Sequence, residues 1–398
     1  MARPAASAVA GVGTTVFGRY PDRSLAELAG PAIRDALADA GIGPSEVEMA
    51  FVASTVHAVT SGQVAVAGQV VLSANGLYGI PVYNVDNACA GSSTALNLAA
   101  HAVAAGVARC VLVVGVEKLF STDRALTFRA LNGAADAQWA RATGVDLEKE
   151  SVFVREVYAQ RLRDYAKRTD LDAVTLARIA VKNRAHAGLN DKAQYRDPLT
   201  VEQVLESRMV QDPVTALMCS PIADGASAAV VVDADRARAT GRAVWISASR
   251  VSMGSPPGRA ESTIGRLARL AYADAGITVS DIDVAEVHDA TAFGELLAYE
   301  ELGFCRRGEA AALVASAATS LGGRIPVNPS GGLESRGHPL AATGLAQVAE
   351  LTAQLRGEAG RRQVAGARVA VAETAGGFVG GDSAAVAVTV LDATVPSE

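Results

Sequence analysis

The sequence predicts an α/β fold made of two related halves, and three observations carry that expectation. Apolar runs of strand type alternate with segments of helical spacing, the pattern of a buried sheet flanked by helices. A block near the N-terminus returns in the second half, where Ala38-Asp39-Ala40-Gly41-Ile42 recurs as Ala273-Asp274-Ala275-Gly276-Ile277. The same register pairs Ser45 with Ser280, Val47 with Ile282, Ala50 with Ala285 and Val52 with Val287, so helix, turn and strand are duplicated without a gap. With 398 residues, 50% hydrophobic and 20% charged, the chain can bury the core that two such units need.

Taken in order, Ala8–Phe17 reads as a short apolar β segment, followed by a turn at Tyr20-Pro21-Asp22. Ser24 is placed as the N-cap of a helix through Leu25, Leu28, Ile33 and Leu37, which Gly41 ends. A strand is predicted at Met49–Ser54, and Ser61–Asn75 is helical in part. Ile80, Val82 and Val85 lead into a small-residue corner around Cys89, from which Ala95, Leu96, Ala99 and Val103 continue at helical spacing. Cys110–Gly115 is a strongly apolar strand. From about 117 to 211 the chain carries more charge, two helical patterns (Val152–Lys167 and Leu171–Ala187) and the aromatics Phe120, Phe128 and Trp139. Such an insertion is either a lid and substrate wall or a solvated cap facing an oligomer. The core resumes at the strand Ala228–Val232. The predicted halves are therefore 1–245, insertion included, and 246–398.

A formal charge of −6 excludes nucleic acid and anionic membrane as main partners, because both need a basic face. The four cysteines Cys89, Cys110, Cys219 and Cys305 lie far apart with no CxxC pair, so neither a metal site nor a disulfide framework is expected. With no signal-type or membrane-spanning run, the expected location is cytoplasmic.

Chemistry is expected at three places. Cys89 falls on a strand-to-helix turn, where free amides and the helix dipole favour thiolate over thiol. Alone, it is read equally well as a small buried hydrophobe. Aligning Cys89 with His338 also aligns Thr94 with Thr343 and Leu96 with Leu345, which gives two related helix starts carrying a thiol and an imidazole. If the halves pack about a pseudo-twofold axis, those corners meet. His288 follows the predicted strand Val284–Val287, at the strand end where open α/β sheets bind ligands.

Several motifs then coincide: Gly11-Val-Gly with Phe17-Gly-Arg, the Cys89 corner, Val181-Lys-Asn-Arg-Ala-His, Pro221-Ile-Ala-Asp-Gly-Ala, Val287-His-Asp, Asn328-Pro-Ser-Gly-Gly, Gly337-His-Pro-Leu-Ala-Ala-Thr-Gly and the glycine-rich Ala375–Gly381. On these residues the chain resembles the thiolase superfamily, most closely the sterol-carrier-protein-X type and its bacterial lipid-transfer-protein-like relatives. The resemblance implies a five-layered αβαβα core of two βαβαβαββ halves with a helical loop domain. It also implies a homodimer, to which Cys110–Gly115 is a candidate contributor, and coenzyme A or carrier-protein thioesters as substrates, with no bound cofactor. Some relatives need a small OB-fold and zinc-ribbon companion.

By the same resemblance, Cys89 accepts an acyl group, His338 takes its proton, and His288 with His338 polarises a thioester oxygen. Gly376, Gly377, Gly380 and Gly381 form either a second oxyanion hole with the Cys89 amide or a plain tight turn, and Gly380 with Gly381 are the leading pair. Asp224 and Asp289 are expected to brace loops. Arg124, Arg129, Lys182 and Arg184 are candidates for a CoA phosphate. One part of the pattern is missing. The family's second cysteine, which moves the α-proton, lies either in a C-terminal Cys-x-Gly box or after the His-Asp pair. This chain has Glu373-Thr-Ala-Gly in the first place and Ala290 in the second. Cys219 and Cys305 remain as thiols elsewhere. The expected function is a thiolase-like acyltransferase making or breaking a carbon–carbon bond. The alternatives are a decarboxylative Cys-His-His condensing enzyme, a retro-aldolase on β-hydroxyacyl-CoA, and a partner-dependent non-catalytic subunit.

Overall fold

The computed structural model describes residues 7–256 and 261–394. Its strands in chain order are β1 (Ser7–Thr14), β2 (Met49–Ala53), β3 (Val82–Val85), β4 (Cys110–Glu117), β5 (Met209–Gln211), β6 (Val214–Thr215), β7 (Gly225–Asp233), β8 (Val244–Ser252), β9 (Val284–Glu286), β10 (Val369–Gly376) and β11 (Ala385–Asp392). Strands β5 and β6 form a separate hairpin, and the rest join in the order β3-β2-β4-β7-β1-β8-β11-β10-β9. The middle of that order is a seam: β1 meets β8 only at Ala8–Trp245 and Val9–Val244. On either side the pairing is long, β1 with β7 and β8 with β11. So short a seam lets the half-sheets turn to face one another. The expected boundary at 245/246 falls inside β8.

The duplication is visible in the hydrogen bonds. Ser24 and Glu27 form a capping box at the start of helix Leu25–Ala40, which ends at Gly41 with φ 68°. Its counterpart, Thr263–Ala275, ends at Gly276 with φ 70°. Both glycines adopt the left-handed conformation that a Cβ disfavours. A single 3₁₀ turn follows each, Pro44–Glu46 and Val279–Asp281, and leads to β2 and β9. The Ala50 amide donates to Pro81 O at 2.9 Å, and the Ala285 amide donates to Pro326 O at 3.0 Å. Ile80-Pro81-Val82 thus recurs as Ile325-Pro326-Val327, at the outer edge of each half-sheet.

Side-chain alternation along the strands sorts three cores. Val111 and Val113 of β4, with Ala370 and Ala372 of β10, face a central layer holding Leu96, Ala99, Val103, Leu345, Val348 and Leu351. Leu112 and Val114 point the other way, onto Leu28, Ile33 and Leu37 of the first helix. Val371 of β10 and Val388 of β11 point outward onto Leu267 and Leu296. The result is the αβαβα stack. Helices Gly91–Ala104 and Thr343–Arg356 fill the middle layer, where Leu96 and Leu345 are fully buried. Each such leucine stabilises the fold by about 1.5–3 kcal/mol.

Strand β4 is bonded on both sides, to β2 and to β7, so Cys110–Gly115 does not offer the dimer contact expected of it. No helix among the described residues is long and apolar enough to cross a membrane.

Candidate active site

Both central helices begin the same way. A 3₁₀ turn, Ala88–Ala90, runs into Gly91–Ala104, and a 3₁₀ turn, Leu340–Ala342, runs into Thr343–Arg356. In this register Cys89 matches Ala341 and not His338, which corrects the alignment read from sequence. Pro339, with ψ 93°, caps the second turn and holds His338 on the approach to it. The corners pack closely through Ser92, Ser93 and Gly344. Leu345 N–H donates to Ser92 Oγ at 3.0 Å, and a Cβ at Gly344 would lie 2.0 Å from Ser93 Oγ. Glu117, at the end of β4, clasps both halves by accepting from Val56 N and Ala341 N, each at 3.1 Å. Burial pushes its carboxyl up to about 7.

Cys89, His288 and His338 each bring one side-chain N or S atom within 4.8 Å of the others. The imidazole rings meet edge to face at 5.2 Å. Thr343 Oγ1 holds His338 Nδ1 at 2.7 Å, which leaves Nε2 as the free nitrogen. His288 leaves the end of β9 with its backbone N–H donating to Glu373 Oε2 at 2.9 Å, and its Nδ1 has no partner. Burial holds the His288 imidazole down at about 4. Burial also holds His338 well below its usual range, with His288 and Arg336 adding to the effect.

The expectation of a dipole-stabilised thiolate is corrected. Burial and then the Glu117 carboxyl push the Cys89 thiol up to about 12, against the pull of the Gly377 and Cys89 amides. Burial thus favours a neutral thiol beside neutral imidazoles.

These three residues open onto a cavity of about 640 Å³. The insertion supplies much of its wall: Phe128 from helix Arg124–Asn132, and Val154 and Val157 from the π-helical turn Phe153–Tyr158. Among the glycines, Gly377 lines the cavity, and at Gly376 a Cβ would fall 2.8 Å from Cys89 N, so β10 approaches the corner only because it carries glycine there. Gly380 and Gly381 do not reach the site. They lie exposed beyond the Val379–Asp382 bridge, because the chain turns outward after Phe378 packs on Trp139 at 4.7 Å.

Of the predicted cations, Arg124 and Arg184 line the cavity. Arg129 is instead paired with exposed Glu148 at 2.9 Å. Lys182 is buried in an ion pair with Glu295 and donates to Val327 O at 2.8 Å, so it serves the fold. Arg19, Lys149, Arg155, Arg161 and Arg208 also line the cavity, and no motif marks them. Asp224 accepts from Leu119 N and Phe120 N at 2.7 Å, and Asp289 accepts from Leu333 N at 2.7 Å, so both brace loops.

Ala290, and Ala375 within the Glu373–Gly381 stretch where a C-terminal Cys-x-Gly box was sought, both face the cavity. Cys219 lines it too, with Sγ donating to Thr215 O at 3.5 Å, whereas Cys305 packs at the edge of an outer core. A cavity residue that the sequence reading missed is Glu334. Cys89 with the two histidines is a donor set that zinc also accepts. Asp289, Glu295 and Glu334 make a second buried cluster of candidate ligands. There Asn183 Nδ2 lies within hydrogen-bond distance of all three carboxyl groups, and Lys182 pairs with Glu295.

The chain belongs to the thiolase family: the thiolase N-terminal domain matches residues 7–212 and the thiolase C-terminal domain-like family matches residues 250–389. It is 38% identical to an acetyl-CoA acetyltransferase of Methanothermobacter thermautotrophicus, over 94% of this chain and 97% of the relative. It is 37% identical to human sterol carrier protein 2, over 98% of this chain and 72% of the relative. The benzoylsuccinyl-CoA thiolase subunit BbsB of Thauera aromatica is 34% identical, over 93% and 94%. Among solved structures, an Ltp2-ChsH2(DUF35) aldolase superposes with a TM-score of 0.78 at 28% identity, covering 98% of each chain.

Proposed function

We propose that this thiolase-family acyltransferase works through an acyl-Cys89 intermediate on acyl-CoA or acyl-carrier-protein thioesters, and makes or breaks a carbon–carbon bond. The convergence of Cys89, His288 and His338 at the floor of one cavity supports this reading. As Cys89 Sγ attacks the thioester carbonyl, its proton passes to His338 Nε2, the sulfur–carbon bond forms and the bond to the CoA sulfur breaks. His338 then returns the proton to the departing thiolate. The neutral resting pair suits this, because charge appears only as the substrate displaces water. The Cys89 and Gly377 amides stabilise one oxyanion and the two imidazoles the other. Arg124 and Arg184, with the cations beside them, give the phosphates of CoA a basic entrance in a chain that is acidic overall.

The homodimer, the cytoplasmic location and a small OB-fold and zinc-ribbon companion belong to the same proposal. The Ltp2-ChsH2(DUF35) likeness supports the companion. That likeness also favours a second reading, lysis of β-hydroxyacyl-CoA, in which activity survives Cys89→Ala. Decarboxylative condensation uses the same three residues and is recognised by CO₂ release from malonyl-CoA. A non-catalytic subunit would be inactive alone, so full activity of the isolated chain excludes it. Incubation with radiolabelled acetyl-CoA tests the leading reading: wild type takes up label and C89A does not. An unlabelled wild type would overturn it.

A further inference from the structure

An enzyme that breaks a bond next to a thioester must protonate the α-carbon that departs as an enolate. Ala290 and, from the stretch that lacks the C-terminal cysteine, Ala375 both face the cavity and carry no proton to give, which points to another group. Cys219 is tied to Thr215 O. The Tyr158 phenol, pushed above its usual range by burial and by the neighbouring Cys89 thiol, is a far weaker acid than a carboxyl. Glu150, at the cavity mouth, is paired with Arg155. Glu334 differs from all three. It lines the same cavity, is 3% exposed, and is separated from Gly337-His338 only by the end of its own short helix, Gly332–Arg336. Its Oε2 accepts from Asn183 Nδ2 at 3.0 Å, while its Oε1 has no partner at all. Its backbone N–H reaches Asp289 Oδ2 at 3.3 Å, which fixes it beside the residue that follows His288.

We propose that Glu334 is the acid that protonates the α-carbon as the carbon–carbon bond breaks, and by reversal the base that removes that proton, in place of the absent second cysteine. This rests on the acyl-Cys89 reading. In the cleavage direction Cys89 Sγ attacks the β-carbonyl and gives its proton to His338. The carbon–carbon bond then breaks to leave acyl-Cys89 and an enolate, and the enolate carbon takes the Glu334 proton. His338 returns the Cys89 proton to Glu334, and the thiol proton of incoming CoA goes to the Cys89 sulfur it displaces, so protons balance over the cycle.

The cluster around Glu334 explains why a carboxyl there keeps a proton to give. Asn183 Nδ2 stands 3.1 Å from Asp289, 2.6 Å from Glu295 and 3.0 Å from Glu334. An amide nitrogen carries two protons, so it cannot serve three carboxylates at once. Lys182 is the only cation paired there among the described residues, and it sits on Glu295, which Asn328 also serves, while Asp289 takes two backbone amides. Glu334 is left with Asn183 alone and no paired cation, the arrangement that favours a protonated carboxyl. Burial and the neighbouring Asp289 and Glu295 hold Glu334 well above the ordinary carboxylate range.

The test uses the full chain with acetyl-CoA in D₂O, reading deuterium uptake at the α-carbon beside acyl labelling of Cys89. Glu334→Gln is expected to lower deuterium uptake by about 100-fold or more while changing acyl labelling less than about tenfold. Adding Ala290→Cys to E334Q should restore part of the uptake. Cys89→Ala, which takes no label, should still exchange, so the two readings fail separately: a wild type without label sinks the acyl-Cys89 step, and a C89A that still exchanges leaves Glu334 standing. If E334Q loses label as well, Glu334→Asp decides, since a shortened carboxyl should keep both label and measurable exchange. Uptake by E334Q at the wild-type rate, exchange missing from wild type, or exchange missing from a labelled E334D would each overturn the proposal.

Discussion

The two central corners share a scaffold and differ in what they present. Each is a 3₁₀ turn feeding a buried helix, packed against the other through Ser92, Ser93 and Gly344. The first carries its reactive group inside the turn, after Ala88 at φ 48°, so the Cys89 sulfur lies against its own amide and that of Gly377. The second has Ala341 at the matching place and gives its amide to Glu117. Its imidazole sits earlier, on the approach, steadied by Thr343. Duplication thus supplied two helix starts at one centre. With this register difference between them, a thiol and an imidazole converge at one centre.

Removing either imidazole should break that complementarity most. We expect His338→Ala to slow acyl transfer by about 10²–10⁴-fold, the range for a lost proton-transfer group. His288→Ala should slow it by about 10²–10³-fold, as for a lost oxyanion donor. Single-turnover labelling with acetyl-CoA separates these losses from weaker binding. If both variants acylate at the wild-type rate, the corners are a packing device only.

Closing the gap between the corners comes next. Gly344→Ala drives a Cβ into Ser93 Oγ and should destabilise the fold by about 1–3 kcal/mol, read as a lower melting temperature. A melting temperature equal to wild type would mean that the helices part without cost. A smaller effect tests the duplication itself: Gly41→Ala and Gly276→Ala should cost about the same, ~1–2 kcal/mol each, because both hold the left-handed conformation at equivalent helix ends. Unequal urea midpoints would show that the halves carry unequal shares of stability.

The acid response follows from His288. Its imidazole stands at about 4 in the fold against 6.5 ordinarily. The unfolded chain therefore binds the proton first, and the His288 contribution to stability falls as pH drops from 6.5 towards 4. The buried carboxyls Glu117, Glu286 and Glu301, pushed up to about 7, and Glu373, pushed up to about 8, act in the opposite sense over that window. His288 is therefore read as a difference: the urea midpoint of wild type should fall relative to that of His288→Asn as pH drops from 6.5 to 4. Parallel curves would show that the site is wetter than the packing implies.

The repeat was legible because Ala38–Ile42 and Ala273–Ile277 carry a helix end, a left-handed glycine and a strand entrance in one short block, all set by local chemistry. The Cys89 corner was legible for the same reason. The corner register was not, because residue matching cannot see that Pro339 delays the second turn. Which of Gly376, Gly377, Gly380 and Gly381 serves the corner was not legible, since only the pairing of β10 with β11 and the outward turn at Phe378 bring Gly377 to the sulfur and carry the preferred Gly380 and Gly381 away. Lys182 reads as a basic surface residue until its buried partner Glu295, far along the chain, is in view. Glu334 carries no local mark at all, and its partners Asn183, Asp289 and Glu295 come from two distant segments.

The central claim is that Cys89 carries the acyl group, and peptide mapping by mass spectrometry after an acid quench of enzyme with acetyl-CoA tests it most directly. An acetyl adduct on the peptide containing Cys89, absent from C89A and discharged by added CoA, is the predicted result. An unmodified Cys89 under turnover, or an adduct confined to Cys219 or Cys305, would contradict it.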